Sequence, residues 1–222
     1  MTEVVELEAS DSHMLSAYMS GPSDAAAAIV IIQEIFGVNP HIQSVVDAYA
    51  AMGYLAIAPA MFDRVERGVD LDYTPEGLQA GFAVRAQVDW ATTPLDVAAA
   101  IGRVGHGRPV GVVGYCFGGG VAWLAAGQLP IQAAVCYYGG QIHDFIDVSP
   151  QCPTMLHFGE LDAMIPLNHV ATIAAAHPDV EVHVYDGADH GFNCDIRDSY
   201  HPSAAELALR RTTEFLRSHL GG

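Results

Sequence analysis

One apolar run restricts the fold of this chain more than any other feature. Ala25 to Ile32 reads AAAAIVII, far short of the roughly 20 residues that cross a bilayer. A strand with one wet face alternates polar and apolar residues. A strand apolar throughout must be covered on both faces, which is the pattern of a parallel sheet between helical layers. Ala27–Gln33 is therefore read as a central strand. Tyr54–Ala58, Arg108–Gly114, Gln132–Tyr138, Thr154–Phe158 and Val180–Tyr185 read as further strands. Between them His41–Met52 reads as a helix ended by Gly53, and Phe117–Gly127 as a helix rich in small residues. Ser203–His219 reads as a closing helix, with Glu206 early and Arg210, Arg211 and Arg217 late, as the helix dipole favours. Val4–Leu7 and Leu15–Met19 alternate and suggest an opening antiparallel pair. Phe62–Ala86 is the least regular segment, carrying Asp63, Arg64, Glu66, Arg67, Asp70 and Asp72, and is expected to be a surface excursion over the sheet edge. Strands alternating with helices over 222 residues, with no linker or repeat, predict one doubly wound α/β domain spanning residues 1–222. In such sheets ligands gather at the carboxyl ends of the strands.

Charge narrows the partners. The chain carries 26 acidic residues against 9 basic ones, a net charge of −17, and every basic residue is arginine. Without lysine there is no P-loop lysine, Schiff-base lysine or Ser–Lys dyad. Nucleic acid and anionic lipid are poor partners for such a surface, because phosphate contacts need clustered cations. Cys116, Cys136, Cys152 and Cys194 form no C-x-x-C pair, and the eleven histidines form no His-Glu-x-x-His, so no metal or cofactor is expected. The first residues lack a basic and an apolar signal region. The expectation is a soluble, cytoplasmic protein with free thiols, monomeric by default.

The chemistry concentrates after the strands. The strand Val110–Val113 runs into Gly114-Tyr115-Cys116-Phe117-Gly118-Gly119-Gly120 and then a helix. This is a Gly-x-nucleophile-x-Gly elbow with cysteine as nucleophile. A side chain on so sharp a turn stands clear of the backbone, and a helix N-terminus behind it favours the thiolate. Taken alone, the pentapeptide is also compatible with a buried structural cysteine in a glycine-rich turn. Asp162 follows the strand Thr154–Phe158, and His190 follows Val180–Tyr185, which gives the order nucleophile, acid, histidine. His190 is expected to carry the proton, with Asp162 fixing its tautomer. Asp186 and Asp189 are rival acids, although a carboxylate adjacent to His190 in sequence tends to point elsewhere. Gln33-Glu34-Ile35-Phe36-Gly37 follows the central strand. The backbone N–H groups of Ile35 and Phe117 are the expected oxyanion hole. Glu34, a charge ending a buried strand, needs a partner and is placed near Cys116.

The set Gln-Glu-Ile-Phe-Gly, Gly-Tyr-Cys-Phe-Gly-Gly, Gly-x-x-Asp-x-x-Ile-Pro and Asp-His-Gly-Phe resembles the dienelactone hydrolases, or carboxymethylenebutenolidases, from about Val4 to Leu220. The resemblance implies an α/β-hydrolase fold and a Cys116–His190–Asp162 triad. It implies hydrolysis of a small lactone or ester without a cofactor, and a role for Glu34 in turning the Cys116 thiol into a thiolate when substrate binds. Members that cleave dienelactone hold its carboxylate with two arginines. Arg64 matches one of them. The other position holds Cys194, with Arg197 three residues late, and this departure opens the substrate question. By the same analogy Phe36 and Tyr138, with Tyr137 and Tyr115 beside them, are pocket candidates, core packing being the equal alternative. Trp90 and Trp123 are read as packing. The competing functions are a broader esterase or thioesterase with the same triad, a non-catalytic α/β binding protein, and a redox sensor pairing Cys116 with Cys194 or Cys152.

Overall fold

A computed structural model describes residues 2–221. The chain opens with an antiparallel pair, β1 (Thr2–Glu8) and β2 (Met14–Ser20). β3 (Ala28–Ile32) leads to α1 (Pro40–Ala51) and β4 (Leu55–Pro59). Then come α2 (Pro75–Arg85), α3 (Thr93–Gly105), β5 (Val110–Tyr115), α4 (Phe117–Gln128) and β6 (Ala133–Tyr137). The chain ends with β7 (Thr154–Gly159), α5 (Leu167–Ala176), β8 (Glu181–Tyr185) and α6 (Pro202–Leu220). One sheet holds the strands in the order β1-β2-β4-β3-β5-β6-β7-β8. β3 to β8 are parallel, while β2 joins β4 antiparallel.

Burial explains the arrangement. Every residue of β3, β4, β5, β6 and β7 is buried, whereas the edge strand β1 alternates. The two-sided strands are those covered by helices on both faces. On one face α3 and α4 lie side by side. On the other, α1 and α6 form the walls of a common groove, and α6 sets Leu216 and Leu220 over Gly111 of β5. The chain runs from β3 out to β4, then crosses back to β5 on β3's other side. That reversal opens a crevice beyond the carboxyl ends of β3 and β5, where an open α/β sheet binds its ligand.

The expected strands and three expected helices lie within a residue or two of their predicted bounds. The segment Phe62–Ala86 is a correction, because it is not purely irregular. Thr74 accepts a hydrogen bond from the Gly77 amide and Pro75 opens α2, a regular helix start. Gly81 of that helix lies against the Ile35 carbonyl so closely that a Cβ there would collide with it. α2 therefore roofs the carboxyl ends of the central strands instead of passing over the sheet edge. Among the described residues no helix is long and apolar enough to cross a membrane.

Candidate active site

The elbow is built by glycine. Cys116 has φ 55° and ψ −115°, a conformation rare for a side-chain-bearing residue, at a cost of about 1–3 kcal/mol. Its amide is held by the Tyr137 carbonyl at 3.0 Å, and the Gly118 amide by the Gln33 carbonyl at 3.1 Å. A Cβ on Gly114 would strike the Gly118 carbonyl, and one on Gly118 would strike the Ile32 and Gln33 carbonyls. The turn is thus locked against β3 and β6, and Sγ stands at the N-terminus of α4.

Three loops meet there. His190 Nε2 lies 3.2 Å from Cys116 Sγ, and His190 Nδ1 lies 2.7 Å from Asp162 Oδ2. Asp162 Oδ1 accepts the Met164 and Ile165 amides at 2.9 and 3.2 Å, so its carboxylate cannot turn away from the ring. The acid and histidine loops are fastened to each other, Leu161 donating to the Ala188 carbonyl at 2.8 Å and Gly187 to Glu160 Oε2 at 2.8 Å. The rival Asp189 accepts the backbone amide of His190 and leaves the ring to Asp162. Burial disfavours a charged His190, but opposite a thiolate the sulfur's charge and the hydrogen-bonded Asp162 outweigh it and push the imidazole up to about 10, so the imidazolium belongs to the ionised pair.

Glu34 is fully buried. Its Oε2 accepts the Tyr73 hydroxyl at 2.9 Å and its Oε1 the Arg197 guanidinium at 3.3 Å. Cys116 shares its hydrogen bond with His190, not with Glu34. Burial works against the charge of Arg197, but Glu34 more than restores it. Gly191, at φ 78°, makes the room, since a Cβ there would run into the guanidinium.

A cavity of about 200 Å³ opens over Sγ, lined in part by Ile35, Phe117, Tyr138, His190, Phe82 and Arg85. Ile35 and Phe117 thus flank Cys116 as the expected donors, the Phe117 amide being the first of α4 and so without an intrahelical acceptor. Tyr138 is fully buried, its ring 5.1 Å from that of His190. Tyr137 is core: its hydroxyl joins Thr212 at 2.7 Å. Trp123 donates to the Phe145 carbonyl, and Trp90 packs on Phe117 and Phe145.

Two expected substrate contacts are not brought to this cavity. Arg64 is held between Asp96 of α3, at 2.7 Å, and Asp11, also at 2.7 Å. Asp96 is only 1% exposed, and a buried carboxylate demands such a counter-charge. Phe36 instead packs on Tyr73, ring centroids 4.4 Å apart, beneath Arg197. Sequence reading passed over Arg85 and Phe82 because α2 went unrecognised; the Thr74-Pro75 start was the signal that could have found them. Gly140, Gln141, His143, Asp144, Met164 and His169 complete the lining.

The donor atoms of Glu34, His41 and Cys194 lie within 4.8 Å of one another. Burial and then Glu34 push the Cys194 thiol up to about 11, and Arg197 already occupies Glu34. This trio suits a guanidinium better than a metal ion. All four cysteines are free. Cys152 precedes β7 at the amino end of the sheet, opposite Cys116, so it is out of reach as a resolving thiol.

A cysteine elbow after β5, an acid after β7 and a histidine after β8, on an eight-stranded, mostly parallel sheet, define an α/β-hydrolase. The family model for the dienelactone hydrolase family matches residues 15–220. The chain is 32% identical to the carboxymethylenebutenolidase of Pseudomonas putida over 97% of this chain and 96% of that protein. It is 34% identical to a candidate carboxymethylenebutenolidase of Azospirillum brasilense over the full length of both. The crystal structure of a candidate dienelactone hydrolase from Klebsiella pneumoniae superposes with a TM-score of 0.81 at 27% identity, covering 97% of this chain and 98% of that one. The chain belongs to the dienelactone hydrolase family.

Proposed function

We propose that the protein hydrolyses a small carboxylic ester or lactone through a thioester on Cys116. The observation that carries this reading is the continuous relay Asp162–His190–Cys116, 2.7 and 3.2 Å long, ending on a strained elbow. His190 accepts the thiol proton and Sγ attacks the substrate carbonyl. The amides of Ile35 and Phe117 receive the developing oxyanion. The tetrahedral intermediate collapses, the C–O bond to the leaving group breaks, and His190 returns its proton to the departing alkoxide. Water then gives a proton to His190 and attacks the thioester, and the thiol is regenerated as the acid leaves. Asp162 keeps Nε2 facing sulfur and stabilises the imidazolium at both steps.

Glu34 assists thiol activation. Held by Tyr73 and Arg197 it is a restrained base, and a substrate that loosens this hold on binding frees a carboxylate beside the elbow. A cysteine ionised only when occupied resists oxidation between turnovers. The cavity of about 200 Å³ suits a compact substrate, being below the roughly 300–1,000 Å³ of pockets for drug-sized ligands.

The test is covalent. After brief mixing with p-nitrophenyl acetate and an acid quench, intact-mass measurement should show one added acetyl group, mapped to Cys116 and removed by hydroxylamine. Steady turnover with no adduct on Cys116, in wild type or in a variant slowed at deacylation, would contradict the mechanism.

A further inference from the structure

Buried and exposed residues divide the loop after β7 by task. Asp162 and Ile165 are buried: one holds His190, and the other lies against Gly140. Leu161, Met164 and Leu167 are the reverse. They are 60%, 55% and 45% exposed, three large apolar side chains at three-residue spacing. Exposed apolar residues scattered singly are ordinary. Three on one short loop leave a patch in water that no described residue covers, and such patches mark binding surfaces. The loop is also fixed where it carries them. The Leu161 amide is bonded to the Ala188 carbonyl, and the Met164 and Ile165 amides to Asp162 Oδ1. Met164 lies in the wall of the cavity over Cys116, so the cavity opens onto this apolar rim. His143 and His169 continue the same wall, with rings stacked 3.8 Å apart at 12°. Among the described residues neither ring makes a hydrogen bond or an ion pair.

We propose that Leu161, Met164 and Leu167 determine specificity by receiving an alkyl tail of the substrate. The ester carbonyl reaches Cys116 inside the cavity of about 200 Å³. A chain too long for that space runs out past Met164 onto the two leucines. A second copy of this chain is a poorer occupant. At a net charge of −17 two copies repel each other. Three side chains also fall far short of the roughly 1,200–2,000 Å² buried in a stable interface. An uncharged tail meets neither obstacle, and its cover by the rim takes apolar surface out of water on both sides. This rests on the proposed hydrolase reading, and it adds the substrate class, esters that carry an apolar chain.

The experiment compares p-nitrophenyl octanoate with p-nitrophenyl acetate, and octyl acetate with ethyl acetate, so that the tail is carried on either side of the ester. The proteins are wild type, the double variant Leu161→Ser/Leu167→Ser and the triple variant that adds Met164→Ser. Each methylene taken out of water is worth about 0.8 kcal/mol, or roughly fourfold. The long-to-short ratio of kcat/KM should therefore fall by about tenfold or more in the triple variant in at least one series, mostly through KM. The double variant should fall between it and wild type. Ratios unmoved in both series would overturn the proposal. A wild type that is dimeric by light scattering and a triple variant that is monomeric, with the ratios unmoved, would assign the rim to a second copy instead. Saturation-transfer NMR with octan-2-one, a tail on a carbonyl that cannot be hydrolysed, reads the rim without catalysis. Binding to wild type that the triple variant loses supports the rim even if no ester is turned over, whereas equal signals from both proteins overturn it.

Discussion

Cys116 shows how a single residue's backbone can define a site. Its positive φ is tolerated because glycines on either side let β3 and α4 close around it. The spacing Gly-x-Cys-x-Gly made this legible from sequence, and the strand-then-loop order did the same for Asp162 and His190. The surroundings of the charges were not legible. Arg64 matched a family position, yet its partner Asp96 lies 32 residues on, in a helix the sequence did not mark. Glu34 needed a partner on physical grounds, but Tyr73 and Arg197 come from 39 and 163 residues away. Gly118→Ala tests the elbow, because the added methyl meets rigid backbone carbonyls of Ile32 and Gln33. Overpacking of about 1–3 kcal/mol should lower Tm by roughly 3–10 °C and take esterase activity with it. A variant with unchanged Tm and full turnover would show that the turn has slack.

At the scale of elements, most strands announced themselves because burial on both faces leaves no alternation to misread. α2, α3 and α5 did not, since the charged stretch before α2 masked its start and neither Thr92 nor Pro166 offers α3 or α5 a side-chain cap bond. The interface between the sheet and α6 holds a polar network that sequence could not assemble. His157 on β7 joins Tyr185 at 2.8 Å and Thr212 of α6 at 3.0 Å, and Thr212 in turn joins Tyr137. Burial holds His157 well below the usual imidazole range. The unfolded chain takes up a proton near pH 6.5 that the folded one refuses. The contribution is therefore intact above about pH 6.5 and is lost as pH falls below it, at up to about 1.4 kcal/mol per pH unit. Urea unfolding at pH 7.5 and 5.0 should show wild type losing more stability than His157→Gln, although the variant starts lower. Equal losses in both proteins would exclude His157 as the acid-sensitive group.

For the whole molecule, the position of the site follows from topology. Reversal of strand order between β4 and β5 leaves the carboxyl ends of β3 and β5 adjacent, and these ends carry Glu34–Ile35 and Cys116. The acid and histidine come from β7 and β8, beyond β6, and α2 returns across the top to enclose the cavity. The alternation of apolar runs was enough to predict this frame and the edge where chemistry gathers. It carried no information about the roof, where Arg85 sits. The central claim is that Cys116 is the nucleophile, and turnover of p-nitrophenyl acetate by Cys116→Ala tests it most directly. With Tm and circular dichroism retained, the rate should fall by at least about 10³-fold, as loss of a nucleophile does elsewhere. A folded Cys116→Ala protein turning over ester within a few-fold of wild type would contradict the account.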